Sequence, residues 1–149
     1  MQTILEKLPY RKDAALFIVQ HMPPGFTRSL AARLNQLSAY TVKEGEHGER
    51  AEGGTAYIAP GGKHMELAME DGQLTIRLSQ ESPRKGHRPS VDVLLESATG
   101  MYRYELIFVI LTGRGKDGLE GLKTLKSHQP VYTIAQDEAT SIVYGMPKA

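Results

Sequence analysis

The stretch Tyr104-Glu105-Leu106-Ile107-Phe108-Val109-Ile110-Leu111, followed at once by Thr112-Gly113-Arg114-Gly115-Lys116-Asp117-Gly118, decides how the chain folds. An apolar run of strand length without polar alternation is the pattern of a parallel strand covered on both faces. The glycine-rich turn that ends it leads to Leu119, Leu122 and Leu125 at helical spacing, and then to a second strand pattern, Val131 to Ala135. Strand, turn, helix and strand in that order form the crossover unit that parallel neighbours require.

Working back from there, Ser90 stands where it can cap a helix running to Thr99, with Asp92 near the positive helix end and Val91, Leu94, Leu95 and Ala98 on the buried side. Thr55 to Ala59, Met65 to Ala68 and Leu74 to Leu78 read as short strands in an antiparallel section, the last two forming a hairpin around Asp71-Gly72. Leu30, Ala31, Leu34 and Leu37 mark an amphipathic helix over Thr27 to Leu37. Ala14 to Val19 is a second continuous apolar run, ending at Gln20-His21-Met22-Pro23-Pro24-Gly25. The chain opens on a helix carrying Ile4, Leu5 and Leu8, and a short helix is expected over Ala139 to Tyr144. The predicted architecture is a doubly wound α/β fold: a mostly parallel sheet with helices on both faces and an inserted antiparallel hairpin.

Composition narrows the function classes. The 149 residues suit one globular domain, since domains commonly hold roughly 100 to 200 residues. With 18 Lys and Arg against 17 Asp and Glu, net charge gives no pull toward nucleic acid or an anionic membrane. The absence of cysteine excludes disulfides, a thiolate nucleophile and cysteine-bound metal. No apolar stretch is long enough for a signal peptide or membrane span, so a cytoplasmic protein is expected. Gly113-x-Gly115 lacks the third glycine of a dinucleotide fingerprint. His47, His64, His87 and His128 lack the paired spacing of a zinc site.

In open parallel sheets, functional groups collect beyond the carboxyl ends of strands. Two residues satisfy that rule: His21, after the first apolar run, and Asp117, after the strongest one. Brought together, they supply the base and orienting acid of a hydrolase triad. Taken singly, a His or Asp at a strand end is more often a hydrogen-bonded structural residue.

Several motifs occur in a fixed order: Gln20-His21-Met22-Pro23-Pro24-Gly25-Phe26-Thr27, Tyr57-Ile58-Ala59-Pro60-Gly61, His64-Met65, His87-Arg88-Pro89-Ser90-Val91-Asp92, Leu111-Thr112-Gly113, Lys116-Asp117-Gly118 and Ala135-Gln136. Together they resemble the CheB-type chemoreceptor glutamate methylesterase domain over essentially the whole chain. The resemblance implies hydrolysis of glutamate methyl esters, and deamidation of particular glutamines, on the cytoplasmic helices of methyl-accepting chemoreceptors. It implies no metal or organic cofactor. His21 would be the general base and Asp117 its orienting carboxylate.

The same resemblance places Arg114, where the family usually has methionine, in the loop that helps hold the oxyanion, and Met22, His64, His87 and Arg88 around the substrate. Arg84, Lys85, His87 and Arg88 form a basic run that suits either a solvated loop or an acidic partner surface. In the family a buried strand ends in a glycine-flanked serine turn, and that serine is the nucleophile. Ser29, Ser38, Ser79, Ser82, Ser90, Ser97, Ser127 and Ser141 lie in no comparable turn. The expectation is therefore one catalytic domain over residues 1–149, truncated at both ends, without a receiver domain and inactive as it stands. The alternative is a non-catalytic module that binds chemoreceptor helices.

Overall fold

The computed structural model describes residues 1–149, which divide into two compact units, Met1–Ser90 and Val91–Ala149. The first unit contains α1 (Gln2–Lys7), β1 (Leu16–Ile18), α2 (Phe26–Leu37), β2 (Thr41–Glu44), β3 (Thr55–Ile58), β4 (His64–Glu70) and β5 (Gln73–Ser79). Its parallel sheet has the order β1-β3-β2, with Phe17 and Lys43 both in register with Tyr57. Position explains burial. The central strand β3 loses both faces and both edges to its neighbours, and Ala56, Tyr57 and Ile58 are buried. The tyrosine is tolerated there because its hydroxyl accepts the Glu52 amide at 2.8 Å while its ring stacks on Phe17.

Two sequence expectations are corrected by this sheet. Thr55 to Ala59 is a parallel central strand, so the antiparallel section is confined to the β4–β5 hairpin, paired from His64 with Ser79 to Glu70 with Gln73. Leu16, Phe17 and Ile18 are half-buried, because β1 has a partner on one side only. β2 had no forecast: Val42 is its sole aliphatic residue, too little for a periodic signal.

The first unit's core gathers Leu5, Leu30, Ala31, Leu34, Tyr40, Val42, Ala56 and Ile58. α2 buries Thr27, Leu30, Ala31 and Leu34, a stripe at helical spacing, whereas Leu37 at its last turn is exposed. Leu34 is fully enclosed, so Leu34→Ala is expected to destabilise the chain by about 3 kcal/mol through lost burial and a residual cavity. Urea unfolding of this variant beside the exposed Leu37→Ala tests it, and equal midpoints for the two would contradict the assignment of the core.

The second unit contains α3 (Val91–Ser97), β6 (Ile107–Ile110), α4 (Leu119–Lys126), β7 (Tyr132–Ala135) and α5 (Gly145–Lys148). β6 and β7 are parallel and joined through α4, with Ile107 opposite Tyr132 and Val109 opposite Ile134. The predicted burial of this strand on both faces is not observed: Ile107 is 65% and Val109 43% exposed, and only Ile110 is buried. In register with them, Tyr132 and Ile134 are exposed on the same face of this two-stranded sheet.

The short helix expected over residues 139–144 is also absent. Asp137 turns the chain instead, accepting the Thr140 amide and hydroxyl, while Ser141 donates to the Asp137 carbonyl at 2.7 Å. Side chains that bond their own backbone compete with helix formation. The bonds from Thr140 hold the Asp137 carboxyl below the usual carboxylate range. The helix forms later, as α5. No helix is long and apolar enough to cross a membrane.

Candidate active site

His21 follows the carboxyl end of β1 by three residues, on an exposed loop. The Met22 amide donates to the Gln20 carbonyl at 2.8 Å, which closes a tight turn with His21 at its centre. The loop is then pressed against Gly61. A Cβ at Gly61 would stand 2.4 Å from the Pro23 carbonyl carbon and 2.6 Å from the Met22 oxygen, so no larger residue fits without moving the histidine loop.

A buried hydroxyl ties the loops together. Thr27, fully buried at the start of α2, accepts the Gly61 amide at 2.9 Å and donates to Glu44 Oε2 at 2.9 Å. The loop after β3 and the carboxyl end of β2 are thereby fixed to the helix that follows His21. Beside them, the rings of His21 and His87 stack face to face, with centroids 3.9 Å apart and planes 11° from parallel.

Of the four residues expected around the substrate, two lie at this loop. Met22 adjoins His21 and packs half-buried against the core, and His87 stacks on His21. The other two are engaged elsewhere. His64 is buried with Nε2 3.0 Å from the Ser82 carbonyl, and Arg88 Nη1 donates to the carbonyls of Gln80 and Glu81, each at 3.2 Å. Both side chains hold the backbone of residues 80–82, so His64 acts as a packed structural histidine.

Asp117 follows the carboxyl end of β6 and is buried in the second unit. Its Oδ2 accepts the Val91 amide at 2.8 Å and its Oδ1 the Asp92 amide at 3.0 Å, which caps the amino end of α3. Asp92 returns the arrangement. It is buried too, and its Oδ1 accepts the amides of Gly118 at 3.0 Å and Gly121 at 2.7 Å at the start of α4. Each carboxylate thus sits at the positive end of the other's helix, where unpaired amides favour negative charge. The sequence suggested a dipole role for Asp92 within its own helix; the acceptor role toward α4 was not foreseen.

An ionised carboxylate offers about four lone-pair sites, so the two amide bonds leave Asp117 capacity for a ring N–H. The structure therefore gives Asp117 a structural role that is compatible with a catalytic one.

Arg114 is exposed, on a loop clamped by residues 143–146. Thr112 Oγ1 accepts the Val143 amide at 2.7 Å and donates to its carbonyl at 3.0 Å; the Gly113 amide donates to the same carbonyl at 2.8 Å, and Met146 donates to Gly113 at 2.9 Å. The loop backbone is fixed from behind while the Arg114 side chain extends into solvent. Nowhere do three or more His, Asp or Glu residues gather as a metal site would require.

Known proteins match this chain along its full length. A curated relative from Bacillus licheniformis, named protein-glutamate methylesterase/protein-glutamine glutaminase, is 51% identical over 149 residues, covering all of this chain and 42% of its own. The relative of the same name from Geobacillus kaustophilus is 50% identical over 149 residues and is covered over 43% of its length. The chain therefore spans about two-fifths of these proteins. Among solved structures, the CheB methylesterase catalytic domain of Thermotoga maritima superposes with a TM-score of 0.92 at 44% identity, over 99% of this chain and 77% of that one. The family model described as CheB methylesterase matches residues 1–149, and the chain belongs to that family.

Proposed function

We propose that this chain forms the body of a hydrolase domain for glutamate methyl esters, acting on the cytoplasmic helices of chemoreceptors, with glutamine deamidation as a second activity. The observation that carries the reading is the placement of His21 and Asp117, each just past the carboxyl end of a parallel strand. The names and identities of the relatives support it.

In the proposed reaction His21 removes the proton of a serine hydroxyl as its oxygen attacks the ester carbonyl. The imidazolium then protonates the departing methoxide, releasing methanol, and water admitted to the same base hydrolyses the acyl intermediate to free glutamate. For a glutamine substrate the leaving group is ammonia. Asp117 orients the imidazole and stabilises its charged form.

The serine is the part these 149 residues do not supply. Ser97 donates to Leu94, Ser127 to Thr124 and Ser141 to Asp137 through local backbone bonds, while Ser38 and Ser79 accept nearby amides. The chain alone is accordingly expected to be inactive, since loss of a triad serine lowers turnover by roughly a millionfold. The same engagement of the hydroxyls favours a second reading, a non-catalytic module that binds receptor helices.

Methanol release from methylated receptor decides between them. The chain alone should release none, and a form carrying the family's serine turn at its amino end should restore release. An inactive extended form that still binds receptor helices would establish the second reading instead.

A further inference from the structure

The His21 loop is exposed and carries no regular secondary structure. A general base must present one ring nitrogen along one line. The tight turn at His21 and the contact with Gly61 fix the backbone of the loop.

We propose that His87 is the positioning residue for His21: its ring, stacked on the His21 imidazole, fixes the plane from which that base works. The inference rests on the reading of His21 as the base and deepens it. At 3.9 Å and 11° the two rings are in full face contact, so His21 cannot turn about its outer torsion without striking His87. Such a contact has value only if His87 is itself held, and three features hold it.

The amides and carbonyls of Arg84 and His87 bond each other at 2.8 and 3.0 Å across a turn in which Lys85 and Gly86 both have positive φ. Next in sequence, Arg88 is bound through Nη1 to the carbonyls of Gln80 and Glu81. The Arg88 carbonyl accepts the amide of Gly62 at 3.2 Å. The Gly61-Gly62 pair is therefore the joint of the arrangement: one glycine backs the His21 loop and the other is bonded to the His87 loop.

What the stack requires of residue 87 is a flat ring and not a titratable nitrogen. Phenylalanine should replace it; leucine, of similar bulk but not flat, should not. In the 149-residue chain, NMR of the His21 ring protons reads the contact without catalysis. An overlying ring shifts these signals upfield, so His87→Leu should move them downfield and His87→Phe should leave them upfield. His21 signals indifferent to His87→Leu in a folded chain would overturn the proposal.

The active, serine-bearing form supplies the second readout. His87→Leu should lower kcat by up to about a hundredfold with KM unchanged, the scale of a small misplacement of a catalytic group, and His87→Phe should restore it. An unchanged kcat in His87→Leu rejects the positioning role and leaves His21 as the base. Full activity in His21→Gln rejects the base itself, whatever the ring signals show.

Discussion

Replacing Asp117 with alanine is expected to destabilise the second unit by about 2 to 5 kcal/mol, independently of any effect on catalysis. The amides of Val91 and Asp92 lose their acceptor at buried positions, and an unsatisfied buried donor costs about 1 to 3 kcal/mol. Asp92→Ala should act similarly, because the amides of Gly118 and Gly121 lose theirs. The two caps interlock: removing Asp92 loosens the turn that carries Asp117, so the double variant should be more stable than the summed losses predict. Thermal unfolding of the three variants reads this directly. A loss under about 0.5 kcal/mol in Asp117→Ala, the range of a neutral surface change, would show that the carboxylate does not cap α3.

Gly61→Ala is expected to destabilise the first unit and to displace the loop that carries His21. The added carbon would overlap the Pro23 backbone, and backbone cannot rotate away as a side-chain tip can. The cost of such overpacking is about 1 to 3 kcal/mol, and the loop that gives way is the one carrying His21. In a serine-bearing active form, kcat should fall by up to about a hundredfold, since the base is displaced along with its loop. Gly48→Ala is the control: its turn has a positive φ, but the added carbon meets nothing within 4 Å. That variant should lose some stability and keep its turnover. Equal turnover in the two variants would argue that the Gly61 contact does not position the histidine.

Much of this arrangement was legible in the sequence. Continuous apolar runs marked β1 and β6, helical spacing marked α2 and α4, and the Asp71-Gly72 turn marked the hairpin, because each signal lies within a few residues of the element it specifies. Burial was harder to read. Leu16 to Ile18 and Ile107 to Ile110 are apolar enough for interior strands, yet their accessibility depends on how many partners each strand has, and pairing is not a local property. β2 escaped notice because one valine in four residues makes no period.

The site divides along the same line. His21 and Asp117 could be singled out as candidates because strand ends are visible in sequence. The contacts that hold them could not, since they link residues far apart: Gly61 with Pro23, Thr27 with Glu44 and Gly61, Asp92 with Gly118. His64 shows the limit of motif reading. It belongs to a family motif, yet it is buried against the Ser82 carbonyl and serves the scaffold.

The pairing of imidazole and carboxylate is tested most directly by a double-mutant cycle in the serine-bearing form, measuring methanol release from methylated receptor by wild type, His21→Ala, Asp117→Asn and the pair. Groups that act as one unit lose their shared contribution once, so the double variant should be no slower than His21→Ala alone. Losses that multiply would mean that the two residues work separately, Asp117 as a helix cap and His21 without it.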